Sequence, residues 1–108
     1  MSIRLPKEFQ VGPFEYTIDT SDEARARLIG TRYWGETQHS VRQIRLDTLN
    51  PSPQELDNTV IHELVHCIEN VYLDTTLEER TVAVLANGLH QILRQLGITF
   101  KVKQGVSP

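Results

Sequence analysis

The stretch "NPSPQELDNTVIHELVHCIENVYL", residues 50–73, decides the fold. It opens as a helix start. Ser52 can cap, Pro53 takes the first helical position where its missing N–H costs nothing, and Glu55 completes Ser-x-x-Glu. The spacing predicts a helix running to about Tyr72. On it Val60, Ile61, Leu64, Ile68 and Val71 share one face, so the helix is expected to lie against a core with its other side wet.

The wet side carries His62 and His66. At about 100° and 1.5 Å per residue they stand roughly 40° and 6 Å apart, which lets two imidazoles converge on one ion. Glu63 points about 100° away, too far to be an equal ligand but near enough to reach a water held at that ion. With 4 His and 9 Glu among 108 residues, composition alone produces His-Glu-x-x-His about 0.01 times per chain. The plainer reading is a solvated His pair on a polar helix face.

Two imidazoles make a weak zinc site, since catalytic zinc usually takes three protein ligands and leaves the fourth position to water. No third His follows at an extended-motif spacing, because residues 69 and 72 are Glu and Tyr. An acid from the next helix is the remaining source. "LEERTVAVLANGLHQILRQLG", residues 77–97, places Val82, Leu85, Ala86, Leu89, Leu93 and Leu96 on one stripe and stops at Gly97, so it reads as a second amphipathic helix. Glu78 falls near the middle of that stripe and Glu79 on its flank. The flank adjoins a cleft beside the core, so Glu79 is the expected ligand, with Glu78 in reserve. The acid not used would still interact favourably with the helix macrodipole.

Before residue 50 the pattern suits strands. "FEYTID", residues 14–19, alternates Phe14, Tyr16 and Ile18 with Glu15, Thr17 and Asp19. "SDEARARL" reads as a short helical turn capped by Ser21. "LIGTRYW" and "VRQIRL" read as two more strands, joined by a polar turn "GETQHS". "ITFKV" is a candidate edge strand, and "KQGVSP" a frayed end. The expected fold is α+β: an antiparallel sheet of about three strands followed by two packed helices, in a single domain over residues 1–108.

The totals narrow the function. Charged residues at 23% and hydrophobic ones at 39% are those of an ordinary globular chain. A net charge of −3, with no dense Lys/Arg block, argues against a nucleic-acid partner. The lone Cys67 makes no internal disulfide and falls at the edge of the buried helix face, so it reads as a small hydrophobe and fits a reducing compartment. No run reaches the roughly 18 apolar residues of a membrane helix, and the N-terminus lacks a signal-peptide pattern. A cytoplasmic location and no membrane association are expected.

"TVIHELVHCIE" and "EERTVAVLANGL" resemble the two helices of small zincin metallopeptidases of the gluzincin type, particularly the compact versions of phages and prophages. Glu79 leads Val82, Leu85 and Ala86 at offsets 3, 6 and 7, as the family's ligand glutamate leads its helix. "GTRYWGETQHSVRQIRLD" looks like the glycine-bearing hairpin before the active helix, whose last strand borders the cleft in the family and pairs with extended substrate. Val82 stands where the family commonly has a smaller alanine, and the second helix lacks the Asn or Asp that often supports a ligand in the family.

The resemblance implies a Zn²⁺ held by His62, His66 and Glu79, with Glu63 as the general base of peptide-bond hydrolysis on a peptide or protein substrate. Tyr33, His39, Tyr72 and His90 are the candidates for stabilising developing oxygen charge, and Tyr72 reads as packed in the core. Trp34 reads as a core or sheet-surface aromatic. Two other readings use the same residues: a zinc-binding domain without catalysis, and a metal-free interaction domain, for instance in phage assembly or repressor control.

Overall fold

The computed structural model describes residues 1–73 and 75–101. The chain is α+β, as expected, but its sheets differ from the expected one. Four strands, β2 (Glu8–Val11), β3 (Phe14–Asp19), β4 (Gly35–Gln38) and β5 (Gln43–Leu46), form a mixed sheet in the order β2-β3-β5-β4. The β3–β5 pair is parallel, with Ile18 opposite Ile44, while β2–β3 and β4–β5 are antiparallel. A parallel pair needs a crossover, and the helix α1 (Asp22–Thr31) supplies it.

That helix is why the expected strand over "LIGTRYW" is corrected. Ser21 caps α1 by accepting from Ala24 N, and Ala24 and Leu28, one turn apart, are both buried. The helical spacing carries Leu28–Thr31 with it. Arg32 then ends the helix in the left-handed region, with φ 63°. The expected turn "GETQHS" is also displaced, because Gly35–Gln38 is itself a strand and the chain reverses between His39 and Arg42. The remaining described strands, β1 (Ser2–Arg4) and β6 (Thr99–Lys101), form a separate parallel pair. The expected end at "KQGVSP" lies outside the described residues.

The long helix α2 (Pro53–Tyr72) has the full Ser52/Glu55 capping box and Pro53 at its start. It crosses one face of the mixed sheet, burying Val60 and Cys67 against Tyr16, Ile44 and Leu46. Burial pushes the Cys67 thiol up to about 12, so it is a packing group and not a nucleophile. A 20-residue helix is about 30 Å long and outruns strands of four to six residues. Its last turn therefore overhangs the sheet: Tyr72 lies beside Gly12 in the β2–β3 turn and is 64% exposed, not packed in the core, and Ile68 is half-exposed.

Helix α3 (Glu79–Gln95) packs on α2 through the fully buried Val82 and Ala86. Contacts of His66 with Glu79 and of Asn58 with Asn87 fix the two helices antiparallel. Only part of its apolar stripe is covered; Leu85, Leu89 and Leu96 stay exposed. Phe100 N donates to Asp57 Oδ1 at 2.9 Å, which pins β6 to α2.

Candidate metal centre

His62 and His66 stand one turn apart on the side of α2 away from the core, their ring centroids 4.9 Å apart. The antiparallel return of α3 brings its first residue to them. Glu79 Oε1 lies 2.6 Å from His62 Nε2, and Glu79 Oε2 lies 3.2 Å from His66 Nε2. Each of the three residues offers a ligand atom, all within 4.8 Å of one another. Glu78 takes the position just before the helix, with no side-chain capping bond, and is not in this group.

The donor set suits a divalent cation of the zinc kind. Two imidazole nitrogens and a carboxylate are its usual protein ligands, and bonds of about 2.0–2.2 Å place tetrahedral ligands roughly 3.3–3.5 Å apart. Opening the 2.6 and 3.2 Å separations to that range takes a carboxylate shift of under about 1 Å, while the three ligand atoms together span up to 4.8 Å.

Glu69, which the sequence reading passed over, is the second carboxylate here. It is 8% exposed, and its Oε1 accepts from His66 Nδ1 at 3.0 Å. That bond puts the His66 proton on Nδ1 and leaves the Nε2 lone pair, on the side of Glu79, available to a cation. The other oxygen accepts from Leu77 N, two residues before Glu79. Burial works to raise the Glu69 carboxyl, but the His66 and Leu77 hydrogen bonds and the two nearby imidazoles outweigh it and hold the group below the ordinary range. One buried carboxylate thus orients a histidine and anchors the approach to α3. Its signal was in the sequence: Glu69 stands three residues after His66, within one helical turn.

Glu63 turns under the sheet edge and is 5% exposed. Thr37 Oγ1 on β4 donates to its Oε1 at 2.8 Å. Burial pushes the Glu63 carboxyl upward, against the Thr37 hydrogen bond and the two imidazoles, which pull it down. The strand approaches closely because residue 35 is glycine: a Cβ there would sit 2.6 Å from Thr59 Cγ2 and 3.3 Å from Glu63 Oε2. The strand bordering the site is therefore β4, the first of the hairpin and the edge of the sheet, and not the last as the family likeness implied. Nothing in the polar run "GETQ" marked Thr37 as a partner of Glu63.

These groups line an open cleft of about 840 Å³, which also includes Tyr33, Trp34 and His39. Trp34 thus faces the cleft, at 40% exposure, and is not a core residue. Tyr72 and His90 do not line it. His39 stands between this cleft and a smaller cavity of about 190 Å³ bordered by Glu69, Asn70 and Thr75. Asn70 Nδ2 donates to Tyr16 OH at 3.2 Å, and the phenol oxygen lies 3.3 Å from His39 Nδ1. With its oxygen accepting from Asn70, the Tyr16 hydroxyl is free to donate a hydrogen bond to Nδ1, the arrangement in which the His39 ring proton is on Nε2. Burial, joined by His66, pushes the His39 pKa down despite Glu69, so the ring is neutral near neutrality.

Compared with known proteins, the chain matches no family model, no curated protein and no solved structure. The resemblance to gluzincins rests on the sequence motifs alone. Among the described residues no helix is long and apolar enough to cross a membrane.

Proposed function

We propose that the chain is a zinc-dependent peptidase that hydrolyses extended peptide segments laid along the β4 edge. The observation that carries the reading is the position of Glu79, one carboxylate oxygen at each half-buried imidazole of the His62/His66 pair, with the buried Glu63 beside them.

A cation would be held by His62, His66 and Glu79, and would supply Lewis-acid polarisation of the scissile carbonyl and of the attacking water. Glu63 takes a proton from the attacking water and delivers it to the amine nitrogen as the C–N bond breaks. Its raised pKa suits that exchange, and Thr37 fixes which carboxylate oxygen is free to take part. His39, neutral and protonated on Nε2, is the cleft-wall donor for oxygen charge that develops at the carbonyl. The open edge of β4 offers backbone donors and acceptors to an extended chain.

Metal analysis of protein purified without chelator, together with digestion of a mixed peptide library by wild type and by Glu63→Gln, tests the reading. About one zinc per chain in both proteins and cleavage by wild type alone is the expected result. Stoichiometric zinc with no cleavage by either protein would favour a zinc-binding domain without catalysis, and absence of zinc a metal-free interaction domain.

A further inference from the structure

Tyr16 is fully buried in the core with Ile44, Leu46, Val60 and Cys67, and its ring stacks on Phe9 with centroids 6.1 Å apart. A phenylalanine would make the same apolar contacts. The hydroxyl adds a polar group that costs free energy unless it is hydrogen-bonded. Among the described residues two side chains meet it. Asn70 Nδ2, from the last turn of α2, lies 3.2 Å away, and His39 Nδ1, from the turn between β4 and β5, lies 3.3 Å away.

The direction of this chain of hydrogen bonds follows from its first member. An amide nitrogen only donates, so the phenol oxygen accepts from Asn70 and has its single proton left for His39. A neutral imidazole that accepts at Nδ1 carries its proton on Nε2. With Nδ1 occupied by Tyr16, Nε2 is the ring nitrogen left for a ligand. The ring is half-buried and borders both the large cleft and the small cavity, so a ligand can reach it.

We propose that Asn70 and Tyr16 are positioning residues that hold His39 as an Nε2–H donor to an oxygen ligand in the cleft, a peptide carbonyl or the oxyanion formed from it. The part this donor plays in hydrolysis rests on the peptidase reading; the placement of its proton does not. A histidine in a surface turn exchanges between two tautomers and rotates about its side-chain bonds. A buried phenol anchored at its far end removes both freedoms. A donor fixed before oxygen charge develops needs no reorganisation when it does.

The same contacts could serve only to tie the β4–β5 turn to the end of α2, and the two roles separate at Asn70. Asn70→Asp replaces a donor by an acceptor of nearly the same shape. The Tyr16 proton should then turn to the new carboxylate, and the phenol oxygen should accept from His39, which moves the ring proton to Nδ1. A mechanical tie is indifferent to that reversal.

Imidazole nitrogen chemical shifts of the whole chain, freed of metal by a chelator and held at about pH 8, where an ordinary imidazole is neutral, report which nitrogen carries the proton. Wild type is expected to hold it on Nε2 and Asn70→Asp on Nδ1. Tyr16→Phe, which keeps the core packing, is expected to show both tautomers. In zinc-loaded protein, Tyr16→Phe is expected to lower kcat about tenfold on a cleaved peptide while KM stays within about twofold. A wild-type proton on Nδ1 overturns the proposal, as does a tautomer unmoved by Asn70→Asp, or a kcat unchanged in Tyr16→Phe. If wild type cleaves nothing, the peptidase reading fails, and the nitrogen shifts still decide whether Asn70 and Tyr16 set the His39 proton.

Discussion

His66 and Glu69, one helical turn apart on α2, are joined by a 3.0 Å hydrogen bond from Nδ1 to a carboxylate whose other oxygen holds Leu77 N. The same side chain therefore aims an imidazole and ties down the segment that delivers Glu79. Carboxylates in this position behind a metal-binding histidine commonly set its tautomer and basicity.

Glu69→Ala is expected to weaken zinc binding about 10–100-fold. Glu69→Gln, which keeps an acceptor but carries no charge, should fall between the variant and wild type. Competition against a chromophoric chelator gives the affinities, and equal values in all three proteins would remove Glu69 from the metal site.

The two candidate glutamates of α3 are separable in the same assay. Glu79→Gln removes a charged arm from the His62/His66/Glu79 group, and affinity should drop by at least about tenfold. Glu78→Gln should change it little. The reverse outcome would transfer the ligand role to Glu78.

Glu63 ties stability to pH. Its carboxyl is raised, chiefly by burial. A group whose folded pKa exceeds its unfolded one stabilises the fold in its protonated form. That contribution is complete below the unfolded value and is lost as pH rises through the folded value. Glu63→Gln removes the titration while keeping an acceptor for Thr37. In metal-free protein its melting temperature should gain on wild type between pH 4 and pH 8, and a difference that is flat with pH would contradict the burial argument.

Gly35 sets the distance between β4 and α2. Gly35→Ala drives a methyl into Thr59 Cγ2, whose rotamer is held by the 2.8 Å bond from Thr59 Oγ1 to Glu55 O. A loss of about 1–3 kcal/mol in chemical denaturation is expected. Adding Thr59→Ser, which deletes Cγ2 and keeps the hydroxyl, should recover most of it. An alanine variant as stable as wild type would mean that the strand has slack at this point.

What the sequence revealed follows the strength of its local signals. Ser52, Pro53 and Glu55 announced α2, and two glutamates before an apolar stripe announced α3, so the elements that carry His62, His66 and Glu79 were legible. The sheet was not. "LIG" suits either a strand or the end of a helix, and its assignment depends on the Ser21 cap reaching as far as Leu28. Strand β4 contains no large apolar residue, because Gly35 and Thr37 face α2 while Glu36 and Gln38 meet Arg45 on the other face. Alternation of hydrophobicity therefore gave no sign of it. With α1 shortened and β4 read as a turn, the parallel β3–β5 pair could not be inferred. The Glu63–Thr37 contact, which spans 26 positions between β4 and α2, was hidden with β4.

The parallel pair β1–β6 joins Ser2 to Thr99, nearly the full described length apart. Such a contact closes a very large loop, so its entropic cost is met only after the intervening elements have condensed. The mixed sheet with α2 and α3 is therefore expected to form before the seam between β1 and β6 closes. In native-state hydrogen exchange, the amides of Leu5 and Thr99, which bond across that seam, should open at lower free energy than those of Ile18 and Ile44.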